Sequence, residues 1–226
     1  KAEKIFKDYK EYVCVVFGNV RNKIVVDENI DYIIHGASIT GSKEFVDFPV
    51  ETIYTGIDGT KNVLEFAKEK KIKGMVYLSS LEVYGITDPD KKSIQEHEYG
   101  YIEQMLPRSS YSEGKRMAEE QSKGIQQIEG CEVIYDMGSG LVIAKVPLSY
   151  ADNRVFAQFA RCAIEENDIV LKTKGETYRN YCYVRDAITG IFCVLIHGKI
   201  NEAYNIANKK TGISICDMAH MVSEKI

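Results

Sequence analysis

The stretch IDGTKNVLEFAKEKKIKGMVYLSS, residues 57–80, decides the fold. Residues 57–71 predict a helix, with Val63, Leu64 and Ala67 on one side and lysines on the other. GMVYLSS, residues 74–80, is a short apolar run of strand length that ends in two hydroxyls, Ser79 and Ser80. A helix feeding an almost wholly apolar strand predicts a strand buried on both faces, as in a parallel sheet covered by helices. In an open parallel sheet, ligands bind outside the carboxyl ends of the strands, where Ser79 and Ser80 fall.

The same alternation runs outward from there. YVCVVFG (12–18), DYIIH (31–35) and LVIAKV (141–146) are further strand candidates. Helices are predicted from about Tyr111 to Gln127, over 153–166 and over 185–198, and ISICDMAHMVSEKI (213–226) starts another. MGSGLV (137–142) is a turn on glycine content. No repeat or low-complexity linker interrupts the chain. An α/β fold with a largely parallel sheet is the expectation.

Composition excludes several classes. The 226 residues can bury one substantial core with a small second lobe. Hydrophobic and charged fractions of 45% and 27% suit a globular protein. No apolar run reaches the roughly 18 residues of a membrane span, and KAEKIFKDYK at the start has no signal-peptide core. Net charge is −4 without a basic cluster, which argues against nucleic acid. Cys14, Cys131, Cys162, Cys182, Cys193 and Cys216 form no CxxC, and those in NYCYV and IFCVL are expected to be buried, reduced thiols. The four histidines have no partner at metal-binding spacing, so no metal is expected. A reducing cytoplasm is the simplest compartment.

RSSYSEGKRMAEE (108–120) places Tyr111 and Lys115 one helical turn apart. A free phenol has a pKa of about 10, so proton transfer near neutrality needs about 4 kcal/mol of stabilisation of its anion. One ammonium at ~4 Å, with an effective dielectric of ~20, supplies about that. A serine at a strand end can hydrogen-bond a substrate hydroxyl while the tyrosinate takes the proton. The YxxxK spacing alone is weak, because 15 tyrosines generate chance matches.

LSSLEVYG followed about thirty residues later by YSEGK resembles the extended short-chain dehydrogenase/reductase superfamily, in its nucleotide-sugar epimerase/dehydratase/decarboxylase branch. FGNVRN (17–22), DYIIHGAS (31–38), IDGTKNVLEFA (57–67), KTKGETYRNYCYVRDA (172–187) and EAYNIAN (202–208) with ISI (213–215) resemble further segments of that family in the same order. The resemblance implies a Rossmann-like doubly wound sheet over residues 1–146, with its first βα unit missing. It also implies a small C-terminal substrate lobe mixed with returning sheet elements over 147–226. It assigns Tyr111 as acid/base, Lys115 as the group that lowers its pKa and holds the nicotinamide ribose, and Ser80 as the hydroxyl partner. Asn19 and Val20 then meet adenine, His35, Gly36, Ala37 and Ser38 run under the dinucleotide with Ser79 nearby, and Arg179 grips the substrate pyrophosphate, with Tyr204 at the substrate. NAD, with NADP as the alternative, is the implied cofactor, and a nucleotide-diphosphate sugar the implied substrate. A homodimer built on the two long helices and a role in surface-polysaccharide synthesis are implied as well.

Glu82 follows Ser80 as a further catalytic candidate or as a residue that orders the loop. Leu81 stands where 4,6-dehydratases carry an aspartate, which favours a 4-epimerase or decarboxylase over a dehydratase. Three other departures stand out. No GxxGxxG or GxGxxG occurs, which raises the expectation of a fragment and leaves a non-catalytic binding or regulatory subunit as the alternative. Asn19 and Gly56 replace an aspartate and an asparagine. AKVPLSYADN (144–153), with Lys145 near an expected arginine, carries no recognisable substrate motif.

Overall fold

A computed structural model of the protein describes residues 5–88, 91, 93–129, 133–136, 141–143 and 155–225. The chain forms two compact units, one of residues 1–75 and 102–133, the other of 76–101 and 134–226. It passes from one to the other three times, so neither unit is a single stretch of sequence. The expected domain boundary at 146/147 lies outside the described residues.

In the first unit, strand β1 (Tyr32–His35) leads to a short helix α1 (Ser42–Asp47) and then to α2 (Pro49–Lys70). The expected helix over 57–71 therefore starts eight residues earlier. Proline at the first helical position needs no amide partner and has the right φ, and Glu51 in the first turn with Lys68 and Lys70 in the last matches the helix dipole. The buried face runs Thr52, Gly56, Gly59, Thr60, Val63, Leu64 and Ala67, at helical spacing. It packs along α3 (Ser109–Glu129), whose buried face is Ser112, Lys115, Ala118, Glu119 and Ser122. Val63, Leu64 and Ala67 thus fill this unit's own core.

Lys71 closes α2 in the left-handed region at φ 53°, its amide donating to the Ala67 and Lys68 carbonyls. Glycine holds that conformation without Cβ strain. Lys71→Gly is expected to stabilise the protein by about 0.5–1 kcal/mol in chemical denaturation.

Strand β2 (Gly74–Leu78) is buried along almost its whole length, as expected of a strand covered on both faces. In the second unit it is followed in sheet order by β3 (Val133–Asp136) and β7 (Ala203–Tyr204), the last two parallel with Tyr135 opposite Ala203. A second parallel pair joins β4 (Leu141–Ile143) to β6 (Tyr181–Tyr183), and an antiparallel pair joins β5 (Tyr178–Arg179) to β8 (Ile213–Ser214). Helices α4 (Val155–Ile164), α5 (Val184–His197) and α6 (Ile215–Lys225) complete the unit. Val76 and Val194 centre one apolar cluster, and Phe159, Met218 and Ala219 another.

Two expectations are corrected. Residues 12–18 form no strand: the segment has no ladder partner among the described residues, with Val16 and Phe17 exposed. An apolar alternation satisfies only the side chains of a strand, and its backbone still needs a ladder partner. Cys193, in IFCVL, is exposed on α5, whereas Cys182 is buried. Residues 144–146 of the expected fourth strand, including Lys145, the MGSG part of the expected MGSGLV turn, and Cys131 lie outside the described residues, whereas the last two residues of that turn, Leu141 and Val142, belong to β4.

Candidate functional site

The first unit contains eight of the residues singled out in the sequence. Helix α3 begins at Ser109, two residues before Tyr111, so Tyr111 and Lys115 lie on its first turns. Tyr111 is half-buried and its ring stacks on Phe45 with centroids 4.3 Å apart. The Lys115 ammonium is 5.9 Å from the centroid of the Tyr111 ring. Lys115 is only 4% exposed, and burial pulls its pKa down to about 8, against the opposing pull of Glu119 one turn on. At pH 7 it is still about ten to one in the cationic form. A desolvated cation beside a phenol favours the phenolate more strongly than the same cation in water.

Two glycines let the elements approach. A Cβ at Gly56 would stand 3.5 Å from the Gly114 carbonyl oxygen, so backbone meets backbone where α2 passes the Tyr111–Lys115 turn. A Cβ at Gly59 would come within 2.8 Å of Val20 Cγ1. The 19–22 turn is held there by Asn62, whose amide donates to the Val20 carbonyl at 2.9 Å, and by Arg21 stacked 5.2 Å from the Tyr54 ring. Asn19 turns inward on its own loop, accepting the Arg21 amide at 3.0 Å.

Val20, His35, Gly36 and Ala37 line one cavity of about 230 Å³, with Ile24, Ile33, Ile34, Val63 and Phe66. It lies at the end of β1 and over α2, with a mainly apolar lining. Ser38 follows, its hydroxyl donating to the Ile39 carbonyl at 3.2 Å. His35 is 3% exposed and its Nε2 is 3.0 Å from Thr60 Oγ1, a bond that ties the strand end to α2. Burial first, and the Lys115 charge second, lower its pKa to about 4. The sign follows directly: the folded protein resists protonating His35, so stability present above pH 6.5 is lost as pH falls toward 4. The loss amounts to about 3 kcal/mol. His35→Gln is expected to flatten that limb in urea denaturation at pH 7 and pH 4.5.

In the second unit, Ser79 and Ser80 follow the last residue of β2. Ser80 caps the short 3₁₀ helix Leu81–Tyr84, its Oγ accepting the Glu82 amide at 3.2 Å. Its hydroxyl hydrogen remains available for a second partner. Glu82 is half-buried within that turn. Tyr84, at the end of the turn, donates to Asn205 Oδ1 at 2.7 Å, and the Asn205 amide group donates to the Ile94 carbonyl. Arg179 is exposed on β5 and donates to the Tyr178 carbonyl at 3.1 Å. Beside it, burial pushes the Tyr181 phenol up, with the Arg179 charge opposing. Tyr204 packs its ring against the Val76–Val194 cluster, and its hydroxyl accepts the Lys199 amide at 2.8 Å.

Four contributors escaped the sequence: Phe45, Thr60, Glu119 and Asn205. Glu119 alone had a local signal, its four-residue spacing from Lys115.

Helix-flanked parallel strands, with a tyrosine and a buried lysine one turn apart, define a Rossmann-like α/β protein with a Tyr–Lys pair. The NAD-dependent epimerase/dehydratase family matches residues 9–207, and the chain belongs to that family. It is 27% identical to UDP-glucuronic acid decarboxylase 1 of Xenopus tropicalis over 197 residues, 87% of this chain and 45% of that protein. Its fold is similar to RMD from Pseudomonas aeruginosa, solved with NADPH, at a TM-score of 0.78 and 20% identity over 99% of this chain and 78% of that one. It is also similar to UDP-glucose 4-epimerase from Thermotoga maritima, solved with UDP-glucose, at a TM-score of 0.75 and 19% identity over 86% and 60%. The chain spans about half the length of the curated relatives it matches.

Proposed function

We propose that the protein is an NAD-dependent enzyme acting on a nucleotide-diphosphate sugar, of the decarboxylase or 4-epimerase type. The observation that carries this is Lys115: a cation held 4% exposed, one turn from a tyrosine, in a chain of this family. A buried lysine that served only packing would be better replaced by an apolar side chain. Decarboxylation is the favoured chemistry because UDP-glucuronic acid decarboxylases recur among the relatives. Leu81 removes the acid that a 4,6-dehydratase needs next to its glutamate.

The cavity beside the 19–22 turn suits the flat, largely apolar face of an adenine ring, with Val20 and Ala37 as its walls. His35, Gly36, Ala37 and Ser38 would support the dinucleotide, with Ser79 beyond β2. When bound, the nicotinamide supplies a hydride acceptor and donor. The chain's own residues do the rest. Tyr111, as phenolate, accepts the proton of a sugar hydroxyl and later returns it. Lys115 keeps the phenolate within reach of neutral pH and holds the ribose hydroxyls. By the family likeness, Ser80 would hydrogen-bond a sugar hydroxyl and Glu82 would serve as a second proton carrier. By the same likeness, Arg179 would offer a bidentate partner for the pyrophosphate, and Tyr204 would meet the substrate.

A homodimer and a cytoplasmic site, in polysaccharide synthesis, belong to the same proposal. Val50, Tyr54 and Met117 expose apolar surface on α2 and α3, and no helix among the described residues is long and apolar enough to cross a membrane.

The test is to incubate the full-length protein and NAD with UDP-, dTDP- and GDP-sugars, including uronic acids, and follow products by mass and NMR. Loss of carbon dioxide from a uronic acid, or inversion at unchanged mass, is the expected result. No conversion of any member of the panel would overturn the proposal.

A further inference from the structure

Phe45 has no place in the chemistry above, yet it is among the most buried residues of its unit, at 3% exposure. Three residues at and just before the start of α3 contact it. The Tyr111 ring lies nearly parallel to it, 4.3 Å between centroids and 10° between planes. The Arg108 guanidinium carbon is 5.7 Å from the Phe45 centroid. The Ser110 hydroxyl donates to the Phe45 carbonyl at 3.3 Å, which ties the backbone of α1 to the turn that carries the tyrosine.

A short helix of six residues gains little from its own hydrogen bonds, so these contacts fix where it lies. Their effect on Tyr111 is specific. Stacking removes the phenol's freedom to rotate about its side-chain torsions, because rotation would separate two parallel rings. It also covers one ring face with hydrocarbon and keeps water from it, so the charge of Lys115 acts through a medium of lower dielectric. Ordinary core packing would accept any apolar side chain of similar volume at this position; a flat ring parallel to the phenol is a narrower requirement.

We infer that Phe45 is a positioning residue for Tyr111: its ring sets the plane of the phenol and shields it, so that the hydroxyl edge alone faces the sugar. The inference rests on Tyr111 being the acid/base. It assigns to α1 a purpose beyond linking β1 to α2, and to Arg108 and Ser110 that of holding Phe45 in register.

The test uses the full-length protein with tyrosine labelled at the ring Cζ with carbon-13, and the Tyr111 resonance identified by its disappearance in Tyr111→Phe. Phe45→Leu keeps an apolar side chain and removes the ring. It is expected to lower kcat by roughly tenfold or more with KM within about twofold, since misplacement of a catalytic group acts on the reacting geometry. The Tyr111 resonance and its titration midpoint, with the acid limb of kcat, should shift as water reaches the ring. Ser110→Ala, which keeps the ring and loosens only the backbone tie, should shift both in the same direction by less, and it serves if Phe45→Leu does not fold. If kcat and the Tyr111 titration are unchanged in Phe45→Leu while Tyr111→Phe is inactive, the positioning role is wrong and the acid/base reading stands. If Tyr111→Phe turns over at the wild-type rate, both fall together.

Discussion

Tyr111→Phe is expected to lower turnover of the sugar nucleotide by about 10³-fold while leaving the fold intact. The two halves of that expectation come from different parts of the structure. The rate loss follows from removing the phenol oxygen that accepts and returns the proton of the sugar hydroxyl, since general acid–base catalysis contributes roughly 10²–10⁴. The intact fold follows from the ring. Phenylalanine keeps the stack on Phe45, whose centroid is 4.3 Å away, and the half-buried hydroxyl contributes about 1 kcal/mol at most. Kinetics and urea denaturation on the same preparation separate these effects. A rate within tenfold of wild type would remove Tyr111 from the chemistry, whatever the stability.

Much of this arrangement was legible because it is local. The apolar run 74–78, the two serines after it, the buried stripe of α2 and the four-residue step from Tyr111 to Lys115 all depend on neighbours within a turn or a strand. Each has a period that sequence displays. The family resemblance then gave these pieces an order, and four of the nine residues it assigns to the cofactor, Val20, His35, Gly36 and Ala37, share the lining of one cavity.

What sequence concealed was pairing at a distance. Residues 12–18 carry the composition of a strand, but composition does not say whether a ladder partner exists, and the segment lies open. The bond from His35 to Thr60 spans 25 residues, and that from Ser110 to the Phe45 carbonyl spans 65. Phe45 sits in SKEFVD, where nothing distinguishes it from any other apolar residue of a short helix. Tyr204 and Arg179 show the converse. Motif likeness singled them out, and the structure gives each a local partner, the Lys199 amide and the Tyr178 carbonyl, so their substrate roles rest on the likeness.

Lys115 provides the second large effect, because its burial couples function to stability with a definite sign. Its pKa is lowered to about 8 from an ordinary 10.5, with burial as the main cause. A lysine that is easier to deprotonate in the folded chain than in the unfolded one releases its proton first in the fold. Between pH 8 and 10.5 the unfolded state therefore binds more protons, and stability rises with pH through that window. Below pH 8 the fold carries the full burden of a buried ammonium, about 3 kcal/mol. Lys115→Met has no such group. The unfolding free energy of wild type minus that of Lys115→Met should thus increase by about 3 kcal/mol from pH 8 to 10.5. The difference cancels the exposed lysines whose raised pKa values act in both proteins, Lys43, Lys73 and Lys91. A flat difference would mean the ammonium is solvated after all, and with it would go the reason for a lowered phenol pKa. In the same window the enzyme should lose activity while it gains stability. Turnover needs the cation, so the alkaline limb of kcat is expected near pH 8, and Lys115→Met should fall about 10²-fold or more at pH 7. Opposite pH responses of rate and stability, both abolished by one substitution, would identify a lysine kept charged against the preference of its own surroundings.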